Sequence, residues 1–142
     1  MKANPEKEAI LYLLYHYIKD DLMSSKILVI EDSKNISLLI EKCLERNGFQ
    51  VFLAEDGLKA MEKVFEIMPD LILLDILIPK LNGLLVCEAL KSNSEVSKIP
   101  IIAISAKTQY EDIQKAMKAG AEDYLTKPFT PDELIMFVRK YI

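Results

Sequence analysis

The feature that most limits what this chain can fold into is an alternation. Three short runs, "KILVI" (26–30), "LILL" (71–74) and "IPIIAIS" (99–105), are apolar almost throughout. A strand with one face in water alternates apolar and polar residues, whereas a strand covered on both faces does not. "QVFLA" (50–54) and "DYLT" (123–126) supply two further strands. The segments between them repeat their apolar residues every three or four positions, the signature of helices. Residues 34–47 place Ile36, Leu39, Ile40, Cys43 and Leu44 on one helical face, closed by "NG" at 47–48. Asp56 can cap a helix carrying Leu58, Met61, Val64 and Phe65, which stops before Pro69. Helices are predicted over roughly 82–91, over roughly 109–119 with Gly120 as its end, and over 131–142 with Thr130 as N-cap and Pro131 in the first turn. Five strand–helix units in this order predict an α/β fold, a doubly wound five-stranded parallel sheet with right-handed crossovers.

In open parallel sheets, functional groups gather at the carboxyl ends of the strands. Glu31 and Asp32 follow the first strand, Asp75 ends the third, Ser105 ends the fourth, and Lys127 follows the fifth. Any one of these reads most simply as a solvated loop residue, but all five fall on the same edge. Three carboxylates close together repel unless a cation or a proton relieves them. Hard oxygen donors suit Mg²⁺, which keeps waters and shares phosphate oxygens, whereas a transition metal would want His or Cys. Lys127 adds a fixed positive charge, and carboxylates are nucleophiles toward phosphoryl groups. The edge therefore reads as a Mg²⁺-assisted phosphoryl-accepting site in which positioning and charge neutralisation do most of the chemistry.

Totals exclude several other classes. At 142 residues the chain fits one domain with a self-sufficient core. Its net charge of −4, with no run of Lys and Arg, argues against direct nucleic-acid binding. Cys43 and Cys87 lie far apart in helical patterns, and His16 is the single histidine, so both thiols read as reduced core fillers. No apolar stretch reaches the roughly 20 residues of a membrane span, and the acid-flanked "EAILYLLYHYI" is unlike a signal peptide. A cytoplasmic protein is expected.

The motifs "ED" at 31–32, "LLDILIP" around Asp75, "NG" at 82–83, "ISA" at 104–106 and "YLTKPF" at 124–129, in this order and at strand ends, resemble the receiver domain of two-component response regulators. The likeness covers residues 26–142, leaving 1–25 as an N-terminal extension. It implies a CheY-like fold in which Asp75 is the phosphoacceptor for a histidine kinase or a histidine phosphotransfer protein. It further implies that Asp32 and Asp75 hold Mg²⁺ with the backbone carbonyl of Leu77, while Glu31 assists through the ion's water shell. Ser105 and Lys127 would each bind a phosphoryl oxygen, with the Lys aimed inward by a cis bond to Pro128. Tyr124 would be the switch aromatic, turning into space that Ser105 vacates. Partners would read the result on the receiver's fourth helix, fifth strand and fifth helix (109–119, 123–126 and 131–142). Leu77 and Lys107 occupy positions that tune phosphoryl lifetime in the family. An apolar Leu77 cannot orient an attacking water, so slow self-dephosphorylation is expected.

The chain ends as the last predicted helix finishes, which implies a stand-alone receiver acting through protein contacts, or a relay intermediate passing phosphate between histidines. A haloacid-dehalogenase-type phosphatase would need an acid two residues after the nucleophile, where Leu77 stands. No enzymatic turnover is expected beyond self-phosphorylation from small donors and self-dephosphorylation. A non-phosphorylated pseudo-receiver usually lacks one of the acids or the Lys, and all are present here. Residues 1–25 predict an amphipathic helix, with Asn4 as N-cap, Pro5 in the first turn, and Ile10, Leu13, Leu14, Tyr17 and Ile18 as one apolar stripe. Such a stripe must be covered, by its own domain or by a second copy in a homodimer. Met23 would also make a natural start for the receiver. His16 reads as an ordinary surface residue of that helix.

Overall fold

The computed structural model describes residues 2–142, and for 19–23 the backbone alone. Elements follow in the order α1 (Pro5–Met23), β1 (Lys26–Ile30), α2 (Lys34–Arg46), β2 (Gln50–Ala54), α3 (Gly57–Ile67), β3 (Leu71–Asp75), α4 (Gly83–Ser92), β4 (Ile101–Ser105), α5 (Tyr110–Lys118), β5 (Asp123–Thr126) and α6 (Pro131–Arg139). All pairings are parallel, and the strand order is β2-β1-β3-β4-β5. The predicted fold is the observed one.

Local chemistry sets the element ends. Asp56 accepts the backbone N–H of Lys59, and Thr130 and Glu133 form a reciprocal capping box ahead of α6. Asn4 accepts the N–H groups of Glu6 and Lys7 and starts α1. Gly48 and Gly120, after α2 and α5, both take positive φ, the left-handed geometry that reverses a chain leaving a helix. The last helix ends at Arg139 rather than at 142.

Period-two alternation within the strands builds two cores. Leu28, Ile30, Ile72, Leu74, Ile101 and Ala103 face one side, against Val64 of α3, Leu90 of α4 and Ala116 of α5. Ile27, Val29, Leu71, Leu73, Ile102 and Ile104 face the other, against Leu44 of α2 and Val138 of α6. β1, β3 and β4 are buried on both faces, which is why their sequences are apolar throughout, while the edge strands β2 and β5 are half-buried. Burying each Leu or Ile contributes about 1.5–3 kcal/mol. The cores therefore hold the strand ends, and the polar groups on them, in fixed positions. Cys87 is buried and Cys43 half-buried, both as free thiols.

The structure decides between the coverings left open for α1. The helix is present, but its stripe does not pack on its own domain: Ile10, Leu13, Leu14, Tyr17 and Ile18 are all exposed. Leu11, Tyr12 and Tyr15 are exposed as well, so apolar groups extend well beyond the predicted face. His16 stacks on Tyr12 and hydrogen-bonds to its carbonyl through Nδ1, and nothing about it suggests a ligand.

Candidate phosphoacceptor site

β1 and β3 are neighbours, with Ile30 in register with Leu74, so the next residues, Glu31 and Asp75, lie side by side at the carboxyl edge. Carboxylate oxygens of Glu31, Asp32 and Asp75 all lie within 4.8 Å of one another. Glu31 and Asp75 are buried, whereas Asp32 is exposed. Lys127 reaches in from the loop after β5. Its Nζ donates to Asp75 Oδ2 at 2.9 Å and to Glu31 Oε1 and Oε2 at 3.2 and 3.3 Å. The Lys127–Pro128 peptide is cis, as the family resemblance implied.

One ammonium for two buried carboxylates leaves a surplus of negative charge. Burial, and then the adjacent Asp75, push the Glu31 carboxyl up to about 8, against the opposing pull of Lys127. Burial works to lower the Lys127 ammonium, but Asp75 and Glu31 more than offset it and hold its pKa above the usual value. A hard divalent cation relieves such a cluster in the way a shared proton does, so the donor set fits Mg²⁺. Asp75 Oδ1 is held separately, by the backbone N–H of Leu77 at 2.9 Å. Both oxygens of the central carboxylate are thus oriented.

Ser105 is buried at the end of β4, and its Oγ accepts the backbone N–H of Lys107 at 3.2 Å. Tyr124, on β5, donates its hydroxyl to the carbonyl of Lys107 at 2.7 Å. The Ser and the Tyr therefore grip the two ends of the same residue. Beside them lies a cleft of about 180 Å³ lined by Ile76, Leu77, Leu84, Ser105, Lys107 and Tyr124, among others. Sequence reasoning named Lys107 only as a lifetime position. Its latch role is made by backbone atoms, which carry no residue-type signal.

The loop after β3 is anchored in two ways. Asn82 caps α4 by accepting the N–H of Leu84, and Gly83 donates its N–H to the carbonyl of Ile76 at 3.1 Å. On the other side, Gly57 N–H reaches the carbonyl of Pro79, and Lys80 pairs with the buried Asp56 at 3.4 Å. Asp56 was legible as a helix cap, but its hold on this loop was not.

With this geometry in place, comparison with known proteins decides the family. A model of the response regulator receiver domain matches residues 27–139. The chain belongs to the response regulator receiver domain family. Among curated relatives, the DNA-binding response regulator MtrA of Mycobacterium tuberculosis is 39% identical over 119 residues, 84% of this chain and 51% of that protein. The alkaline phosphatase synthesis transcriptional regulatory protein PhoP of Bacillus subtilis is 41% identical over 112 residues, 79% of this chain and 46% of that one. The chain thus spans about half the length of the curated relatives it matches. Among solved structures, chemotaxis response regulator CheY4 of Vibrio cholerae superposes with a TM-score of 0.81 at 28% identity, covering 84% of this chain and all of that one. The receiver domain of Francisella response regulator 1452 gives 0.78 at 34% identity, covering 83% and 96%. The chain is thus a receiver domain of two-component signalling, a family that takes phosphoryl groups from histidine kinases. That MtrA is named as DNA-binding leaves the expectation of no nucleic-acid contact without support from its relatives. No helix among the described residues is long and apolar enough to cross a membrane.

Proposed function

We propose that this receiver accepts a phosphoryl group on Asp75 from a histidine kinase or histidine phosphotransfer protein, and that the transfer switches a protein-binding surface around Tyr124. The observation that carries the reading is the setting of Asp75. It is a buried carboxylate with one oxygen fixed by a backbone N–H and the other by Lys127, at the edge of an acid cluster of excess negative charge. An Asp75 oxygen forms the new P–O bond as the donor's P–N bond breaks, and the imidazole nitrogen keeps the electron pair. Mg²⁺, held by Asp32, Asp75 and the carbonyl of Leu77 with Glu31 in support, would neutralise phosphoryl charge. Lys127 would turn from carboxylate to phosphoryl oxygen, and Ser105 would donate to another.

The switch follows from the latch at Lys107. A phosphoryl group on Asp75 adds charge and acceptor oxygens, which draw the Ser105 hydroxyl away from the Lys107 N–H. The loop is then free to move, and with it the carbonyl that holds the Tyr124 hydroxyl. The cleft beside Ser105 gives the tyrosine ring room to turn inward. The chain does no steady-state catalysis in this reading, beyond taking phosphate from small donors and losing it to water.

Incubation with Mg²⁺ and acetyl phosphate, followed by intact mass measurement, tests the proposal. Attack by Asp75 breaks the donor's P–O bond, releases acetate and leaves a single phosphoryl adduct. The adduct should be absent from Asp75→Asn and absent without metal. No adduct on the wild-type chain, or an adduct that survives in Asp75→Asn, overturns the assignment.

A further inference from the structure

The receiver fold does not use α1. The family match begins at residue 27, and CheY4 aligns over its whole length while covering 84% of this chain, so a receiver is complete without such a helix. Ile10, Leu11, Tyr12, Leu13, Leu14, Tyr15, Tyr17 and Ile18 are nonetheless 50 to 75% exposed along it. Seven of them, all but Tyr12, lie on or flank the face centred on Leu14, and at roughly 100 Å² each, about half of what a large side chain can bury, they present on the order of 700 Å² of surface. That exceeds the roughly 300–600 Å² of the largest apolar patch on a typical monomer. It approaches the roughly 800 Å² that each partner contributes to a standard interface.

The order of residues points to the occupant. Leu14 is the midpoint of Pro5–Met23, and around it the sequence is nearly symmetric in kind: Ile10 answers Ile18, Leu11 answers Tyr17, and Leu13 answers Tyr15. A two-fold axis at Leu14, with the helices antiparallel, sets each of these side chains against an apolar counterpart and leaves Tyr12 and its counterpart His16 on the far side of the helix. That self-complementarity is what an isologous interface requires. An anionic membrane surface would instead favour a basic helix, and the first turn here carries Glu6 and Glu8. We infer that α1 is a dimerisation helix that pairs antiparallel with α1 of a second copy of this chain.

The position of α1 makes the interface compatible with signalling. Only Ser24 and Ser25 separate it from β1, so it leaves the sheet at the amino ends of the strands. Asp75 sits at the carboxyl ends, a strand length of about 15 Å away. A helix of this length spans about 28 Å, so antiparallel pairing sets the two receivers at opposite ends with both acid sites open. Dimerisation is therefore independent of phosphorylation, and it stands or falls separately from the assignment of Asp75.

Sedimentation equilibrium on the full chain provides the test, with a Leu14→Lys/Ile18→Lys double variant, a Leu39→Lys variant and Asp75→Asn. Leu39 is an exposed residue of α2 and controls for loss of any surface leucine. The expected result is a dimer for wild type, Leu39→Lys and Asp75→Asn, with association at least about 100-fold weaker in the double variant. Circular dichroism and unfolding of the double variant should show an intact receiver, because the substituted side chains touch none of its core. A wild-type chain that stays monomeric at roughly 100 µM overturns the inference. So does a dimer that persists in the double variant, or a monomer that floats with phospholipid vesicles through α1.

Discussion

Replacing Gly83 by Ala probes how the fold holds the acceptor. A Cβ built on Gly83 would lie 2.6 Å from both Cα and O of Ile76, and 2.9 Å from its carbonyl carbon. Carbon–oxygen contacts are normally no closer than roughly 3.3 Å, so α4 and the loop after β3 must separate by about 0.7 Å. The opposing atoms are backbone, and no side chain can rotate away to relieve them. Alanine is the better helix former by up to about 1 kcal/mol, and less than that at the first position of α4. Overpacking of this kind costs about 1–3 kcal/mol, so a net loss of about 1–2 kcal/mol is expected in urea unfolding. Ile76 directly follows Asp75, and the next N–H orients its carboxylate. A shift of that size should also slow phosphorylation from acetyl phosphate by about 10- to 100-fold. Gly48→Ala is the control. It has open space around it but a φ of +89°, and it lies between α2 and β2 at the amino ends of the strands. It should cost stability and leave phosphorylation unchanged. A Gly83→Ala chain as stable as wild type with an unaltered phosphorylation rate would refute the argument.

Two further outcomes follow from the site. Leu77 is exposed and has no group to hold a water near the phosphoryl, so Leu77→Asn should shorten the phosphoryl half-life about tenfold or more, read by loss of the adduct after the donor is removed. An unchanged half-life would show that the side chain has no part in lifetime. In metal-free protein, folding raises the Glu31 carboxyl from about 4.5 to about 8, so the folded state binds the more protons in that window. Stability should therefore fall as pH rises from about 4.5 to about 8, and Glu31→Gln should flatten the slope in chelator-treated samples. A slope unaffected by the substitution would place the proton elsewhere.

The pattern of apolar runs was enough to determine the elements, the parallel sheet and the location of Glu31, Asp32, Asp75, Ser105 and Lys127 at one edge. This works because a strand covered on both faces must be apolar throughout, so a polar residue at its end is conspicuous. The helix caps were legible for a similar reason, since Asp56, Thr130 and Asn4 bond to backbone groups only three or fewer residues away. What remained hidden depends on contacts between segments distant in the chain or on backbone atoms. The two acids after β1 look equivalent in sequence, yet only Glu31 is buried and bound to Lys127. That difference arises from the order β2-β1-β3-β4-β5, which sets the end of β1 against Asp75. The latch at Lys107, the hold of Leu77 on Asp75 and the close approach of Gly83 to Ile76 are all made by backbone atoms, which every residue possesses and no residue type announces. The fate of α1 was likewise undetermined by its own composition. An apolar stripe records that a surface must be covered, and only the tertiary structure shows that its own domain does not cover it.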